Sequence, residues 1–288
     1  MKPEPDLAAR VSTLEQRLRD PAPSRPNARV MGGTVGWLLL LLLTANLWVL
    51  WGAVREQGRG RLEHEFWIVS QPGATADERR DAFAALVRAG NKEWRSARLK
   101  HLKLRGAELG GANLESVDLE GCDLTDANLE SAVLRRANLE LAKLLRANLS
   151  RADLSESFLR KVDLTSADLS RANLRSASLE QSDMVDANFE RADMTEANLL
   201  LGVLTRADLR RVNLSWANLD AADLTGANLE EANLEGASMQ DTFFGDSNWW
   251  RAKGLPAAAI ERFKKEFPPG SEAPAEFQED FLAWLDSQ

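Results

Sequence analysis

The sequence predicts an all-β solenoid over residues 97–250, on three observations. Leu, or in six of 31 cases Met, Phe or Trp, recurs every five residues without insertion from Leu99 to Trp249. A small residue sits two positions before each of these central residues: it is Ala in 21 of the 31 pentads, which marks both positions as inward-facing. Asp or Asn stands between them in 21 of 31. No single regular element buries such a pattern. On an α-helix a step of five residues turns about 500°, so the leucines would walk around the axis. On a straight strand Ala227 and Leu229 share a face, but Ala232 falls on the opposite one. The alternation survives only if the chain turns a corner in every pentad, which gives one short extended side and one turn each.

The corners have their own signals. Asn and Asp bond nearby backbone and tolerate unusual φ/ψ. Gly recurs two residues after the central position, at Gly106, Gly111, Gly121, Gly226 and Gly236, where a type II turn requires positive φ. The central exceptions to Leu are Met184, Phe189, Met194, Met239, Phe244 and Trp249, all apolar. Each buried Leu contributes about 1.5–3 kcal/mol by leaving water.

The pattern A-(D/N)-L-x-x, here "ANLESVDLEGCDLTDANLE" over residues 112–130, resembles the pentapeptide-repeat family across about half the chain. The resemblance implies a right-handed quadrilateral β-helix with four pentads per coil, the central residue and the small residue both pointing inward. Thirty-one pentads would then make nearly eight coils, and at ~4.8 Å per coil a rod about 35–40 Å long.

The flanks divide as follows. Residues 1–29 read as an N-terminal tail and linker: Leu7, Val11, Leu14 and Leu18 have the spacing of a short helix, and "PAPSRPNAR" reads as a linker. Residues 30–54 carry no charge, long enough for a transmembrane helix, with Trp37, Trp48 and Trp51 suited to the interfaces. A secretory signal peptide is the alternative, but no clear A-x-A site follows. Four arginines (Arg17, Arg19, Arg25, Arg29) precede the span against three (Arg55, Arg59, Arg61) after it, which favours the repeat domain on the extracytoplasmic side of a single-pass membrane protein. Residues 55–96 form a juxtamembrane segment and an N-terminal capping helix: Thr75 and Glu78 have capping-box spacing, and Ala82, Phe83, Leu86 and Val87 make an apolar stripe. Residues 251–288 read as C-terminal capping helices, the last with Phe277, Phe281, Trp284 and Leu285. In some soluble members of the family such a tail forms a dimer contact, so a homodimer through this helix or through the membrane helix is the alternative to capping.

The composition argues against catalysis. There is no Tyr, one Cys and two His, no Gly-rich phosphate loop and no metal-spaced Cys/His cluster. The nine Asp at the middle position interchange with Asn along the array, which a carboxylate used for acid/base work or metal binding would not tolerate. Cys122 fills a small inward slot and reads as a buried small hydrophobe. No enzyme activity and no cofactor are implied. Residues 97–250 carry 17 Lys/Arg and 26 Asp/Glu, a net of −9, which argues against nucleic-acid binding.

What remains is the outer surface, where residues twenty apart should stack. One column reads Arg151, Arg171, Arg191, Arg211, Glu231, Arg251. It is either a surface ion network, offset by Asp153, Asp193 and Glu190, or a docking strip for an anionic ligand or acidic partner. A second set, Leu141, Leu145, Phe158, Val185, Leu200, Leu201 and Val203, is apolar at outward positions. It marks a partner contact, a surface covered by the chain's own tail or membrane helix, or nothing functional. The reading is a membrane-tethered scaffold that presents a rigid β-helix for protein–protein interaction with an unknown protein partner. The alternative implied by the resemblance is DNA mimicry, since soluble relatives are acidic rods that bind type II topoisomerases and protect them from quinolone drugs.

Overall fold

The computed structural model describes residues 75–88, 94–270 and 275–287. The tail and linker at 1–29, the membrane segment at 30–54 and residues 55–74 of the juxtamembrane segment lie outside the described residues. Among the described residues no helix is long and apolar enough to cross a membrane. The elements are α1 (Ala76–Arg88), a four-sided β-helix, a 3₁₀ turn (Trp249–Arg251), α2 (Ala257–Glu266) and α3 (Ala275–Asp286).

Parallel bridges link each middle residue to the one twenty positions on, from Arg98↔Asp118 on one side, Lys103↔Asp123 on the next, and so around four sides. One coil is therefore four pentads, and columns of outward side chains rise along the stack with about 4.8 Å between neighbours.

The backbone satisfies nearly all of its donors. Within a pentad, Leu119 N–H donates to Asn138 O (2.7 Å), Gly121 N–H to Glu140 O (2.9 Å), Cys122 N–H across the corner to Leu119 O (3.1 Å) and Asp123 N–H back to Leu102 O (2.9 Å). The fifth amide, at the first corner residue, finds its acceptor on a side chain: Glu120 N–H reaches Asp118 Oδ1, and Thr125 N–H reaches Asp123 Oδ1 at 3.2 Å. This accounts for Asn and Asp at the middle position. They stand on the sides, in the bridge, and supply the acceptor the turn lacks. They also bond one another between coils, Asn138 Nδ2 to Asp118 Oδ1 at 3.1 Å and Asn173 Nδ2 to Asp153 Oδ1 at 2.9 Å.

The corners depart from expectation. The second corner residue has positive φ, as a type II turn demands, but glycine is the exception there. Arg171 (φ 59°), Leu201 (58°) and Trp216 (60°) hold the same left-handed conformation as Gly226 (66°). For an L-residue this costs about 1–2 kcal/mol. The ladder bond of each corner amide and the fixed pentads on both sides hold it in place.

The leucines and small residues fill the interior, and a single apolar cluster runs from Ala82 in α1 to Phe281 in α3. Polar inward residues turn their donors onto backbone carbonyls: Ser182 Oγ to Leu159 O at 2.7 Å, Thr242 Oγ1 to Leu219 O at 2.8 Å. The coil starts one pentad earlier than the leucine pattern. Trp94 is fully buried and its N–H donates to Asn113 O at 2.7 Å, five positions before Leu99. Phe83 and Leu86 of α1 are buried against this end, with the Phe83 and Trp94 rings 4.5 Å apart. Thr75 and Glu78 close the start of α1 reciprocally, Thr75 N–H to Glu78 Oε2 at 2.8 Å and Glu78 N–H to Thr75 Oγ1 at 3.2 Å.

At the far end the repeat deforms. The Asn248 side chain takes over the backbone's role, accepting from Leu229 N–H at 2.5 Å and donating to Asn228 Oδ1 at 2.8 Å. Trp249 sits buried among Phe263, Phe281 and Trp284 (ring centroids 5.3–5.9 Å), and its Nε1 donates to Phe267 O at 2.7 Å.

Candidate interaction surface

The arginine column forms as the twenty-residue register requires. Arg151, Arg171, Arg191 and Arg211 are exposed, each at a left-handed corner with φ between 58° and 61°. Of the expected counter-ions, Glu190 lies beside the column but Asp153 and Asp193 do not serve it. Arg151 lies 3.6 Å from Glu130, Arg191 3.6 Å from Glu190, and Arg211 3.0 Å from Glu231. Asp153 and Asp193 instead accept from their own turns, at Ser155 and Thr195. Arg171 has no carboxylate partner among the described residues. Arg251 leaves the column for Asp280 of α3, at 2.8 Å. Arg211 holds the Glu231 carboxyl below its usual range, by hydrogen bond first and charge second. The middle of the column, around Arg171, is thus the stretch with least internal neutralisation. Exposed pairs such as these contribute little to stability, because solvent screens them and ordering the side chains costs entropy.

The seven apolar residues do not merge into one patch. Leu141, Phe158, Leu201 and Val203 are exposed, whereas Leu145, Val185 and Leu200 are half-buried against their corners. In the twenty-residue register Lys161 and Gln181 separate Leu141 from Leu201, and Thr165 separates Leu145 from Val185. Leu200, Leu201 and Val203 stay together around one corner.

Cys122 is fully buried, and burial pushes its thiol up to about 12, far from the thiolate a nucleophile needs. Among the described residues no group of three or more His, Cys, Asp or Glu is placed to hold a metal ion.

The profile of the pentapeptide repeat region matches residues 112–189, and that of eight-copy pentapeptide repeats matches 172–211 and 213–248. The chain carries a pentapeptide-repeat domain. Among solved structures, the domain is similar to HetL, a pentapeptide repeat protein involved in heterocyst differentiation regulation from the cyanobacterium Nostoc sp. strain PCC 7120. The two are 28% identical, the match covers 61% of this chain and 98% of that one, and the TM-score is 0.43. QnrB1, a plasmid-mediated fluoroquinolone resistance protein, matches at 16% identity over 69% of this chain and 92% of its own, with a TM-score of 0.33. A pentapeptide repeat protein of the Arabidopsis thaliana thylakoid lumen matches at 24% identity over 47% and 87%, with a TM-score of 0.20. No curated protein matches the chain.

Two surface aromatics of the pentapeptide-repeat domain escape a reading by residue type alone. Trp216, 66% exposed, lies flat over Gly236 of the next coil, where a Cβ would meet the indole at 2.6 Å. Phe243 is exposed on the side that carries Val203. The twenty-residue stacking rule was the signal for both: it puts Gly236 directly after Trp216 in one column and Phe243 in the column of Val203.

Proposed function

We propose that this chain is a non-enzymatic scaffold, tethered to a membrane through residues 30–54, whose pentapeptide-repeat domain presents a rigid lattice of side chains to an acidic protein partner. The observation that carries this reading is the column Arg151–Arg171–Arg191–Arg211, four guanidinium groups at about 4.8 Å spacing with Arg171 unpaired among the described residues. Guanidinium groups bind carboxylates with two parallel bonds and are held here on a backbone that cannot rearrange, so little ordering entropy opposes binding. Leu200, Leu201 and Val203, at the corner diagonally opposite the arginine column, give a second, separate apolar contact. In this reading α1 closes one end of the coil stack and α2 with α3 closes the other, which keeps the exposed apolar cross-sections from joining end to end. The uncharged run between Arg29 and Arg55 supports the tether, and the arginine count on its flanks favours the extracytoplasmic side.

The test is affinity capture from detergent-solubilised membranes with the full-length chain and with an R171Q/R191Q variant. The variant should lose most of the captured partner, and the loss should be mimicked by raising salt. Equal capture by both proteins refutes the strip. Release of the full chain from membranes by alkaline carbonate would refute the tether separately.

A further inference from the structure

The side of the β-helix that carries Phe158 differs from the other three in charge. Beyond Arg98 and Asp118 at its start, its bridge column reads Asn138, Phe158, Ser178, Asn198, Asn218, Ser238, six successive coils without an ionisable group at that position. The other sides carry Asp123, Asp163, Asp183 and Asp223; Asp168 and Asp208; Asp153 and Asp193. In an array with a net charge of −9, two copies meet with least repulsion on this side, where Arg98 and Asp118 at the first two coils are the ionisable members of the column. That side and its two corners also hold four of the exposed large apolar residues: Phe158 (56% exposed) on it, Leu141 (51%) and Leu201 (48%) on one bordering corner, and Trp216 on the other; Phe243 and Val203 lie on the adjacent side, among its aspartates.

We propose that the Phe158 side is a self-association surface on which a second copy of this chain packs antiparallel. The register follows from the lattice. Both copies repeat at the same spacing, so a two-fold axis across the rod, between the levels of Phe158 and Ser178, aligns every coil at once and keeps each corner against its own kind. Leu141 then meets Leu201 of the second copy, and Leu201 meets Leu141, covering both. On the same corner Arg160, which also bonds Glu140, meets Glu180, a carboxylate that is bonded by Ser178 and Asn198 and by no cation among the described residues. On the far corner Arg136 meets Glu196. Each of these contacts occurs twice by symmetry. One like-charged pair arises, Glu120 with Asp220, and Lys100 already lies 2.5 Å from Glu120. The footprint is eight coils by one side, roughly 35 Å by 15–20 Å, or about 1,000–1,400 Å² buried in total, at the lower end for a specific interface. The association is therefore reversible and concentration-dependent.

The test uses the full-length chain in mild detergent, followed by sedimentation equilibrium up to about 100 µM, the range in which an interface of this size is populated. The protein mass should double with concentration. L141E/L201E should hold it at the monomer value with the circular dichroism spectrum and urea midpoint unchanged, because both side chains are exposed. A crosslinking arm fixes the register. L141C mixed with L201C should give a disulfide-linked dimer on mild oxidation, and neither variant alone should match that yield. An intrachain bridge is excluded, since each variant carries one introduced cysteine and Cys122 is buried. A chain monomeric throughout, a dimer that survives L141E/L201E, or a mixture that crosslinks no better than its components each overturns the proposal. A surviving dimer would place self-association in another segment.

Discussion

Trp249→Ala should open the C-terminal end of the coil stack. The indole is fully buried and forms edge contacts with Phe263 (5.4 Å), Phe281 (5.9 Å) and Trp284 (5.3 Å). It also donates to Phe267 O, the carbonyl that ends α2. Truncating a buried Trp typically costs about 3–5 kcal/mol, and the aromatic pairs and the orphaned carbonyl place this site toward the upper end. With an m-value of about 2 kcal/mol/M for a domain of this size, the urea midpoint of the affected unit falls by roughly 1.5–2.5 M. Because each coil contacts only its neighbours, the loss should appear as an early transition of α2 and α3. Leu169→Ala, mid-stack and equally buried, should instead lower the main transition by about 2–5 kcal/mol. Urea titration by circular dichroism and tryptophan fluorescence reads both. A Trp249→Ala protein whose first transition moves by less than about 1 kcal/mol would refute the view that this ring clamps the helices to the coil.

Other expectations follow from single sites. Gly254→Ala should destabilise the end turn more than an Ala elsewhere, because φ is +77° and the new Cβ would lie 2.6 Å from the backbone nitrogen of Glu235; a thermal melt within 1 °C or so of the parent would refute this. Acid should weaken the fold. Burial pushes the Asp208 carboxyl up, but its bonds to Arg210 outweigh this and hold it low, while Arg135 and Arg136 hold Glu156 low. A depressed carboxylate stabilises the fold above its unfolded value, near 4, and that contribution is lost as pH falls through the lower folded value. The urea midpoint should therefore be flat from pH 7 to about 5 and decline below about 4. Cys122 should resist maleimide at pH 8 until urea unfolds the stack; labelling at the rate of a free thiol would contradict its buried placement. DNA gyrase supercoiling should be unaltered by the full chain, and inhibition or quinolone protection would revive the DNA-mimicry reading.

The interior was legible in the sequence because a five-residue period admits one geometry, and Leu99 through Leu234 obey it without insertion. The start was not. Trp94 fills an inward slot, but "KEWRS" lacks the Ala and Asn that mark the others, and only the ladder bond to Asn113 reveals it. Corner chemistry was half legible: the left-handed site falls where glycine suggested, yet Arg171 and Trp216 occupy it, because a fixed ladder on both sides can impose what a lone turn could not. The middle Asn and Asp were placed in the turns by residue type; the bridges put them on the sides, with their oxygens reaching the corner. On the surface the columns were predictable, but side-chain partners were not. Which carboxylate meets Arg151 depends on rotamers, and Glu130 prevails over the expected Asp153.

The twenty-residue bridge register also sets a grammar for length change. Loss of one whole coil, such as residues 172–191, or gain of one there would leave every column aligned and merely shorten or lengthen the rod. Loss of a single pentad would keep each Leu and Ala in an inward slot, so the core would still close, but everything downstream would swing by a quarter turn. Arg191 and Arg211 would then stand on a different corner from Arg151 and Arg171. In such a protein, insertions and deletions are rotations of the outer face, and those in steps of twenty are the ones the surface does not notice.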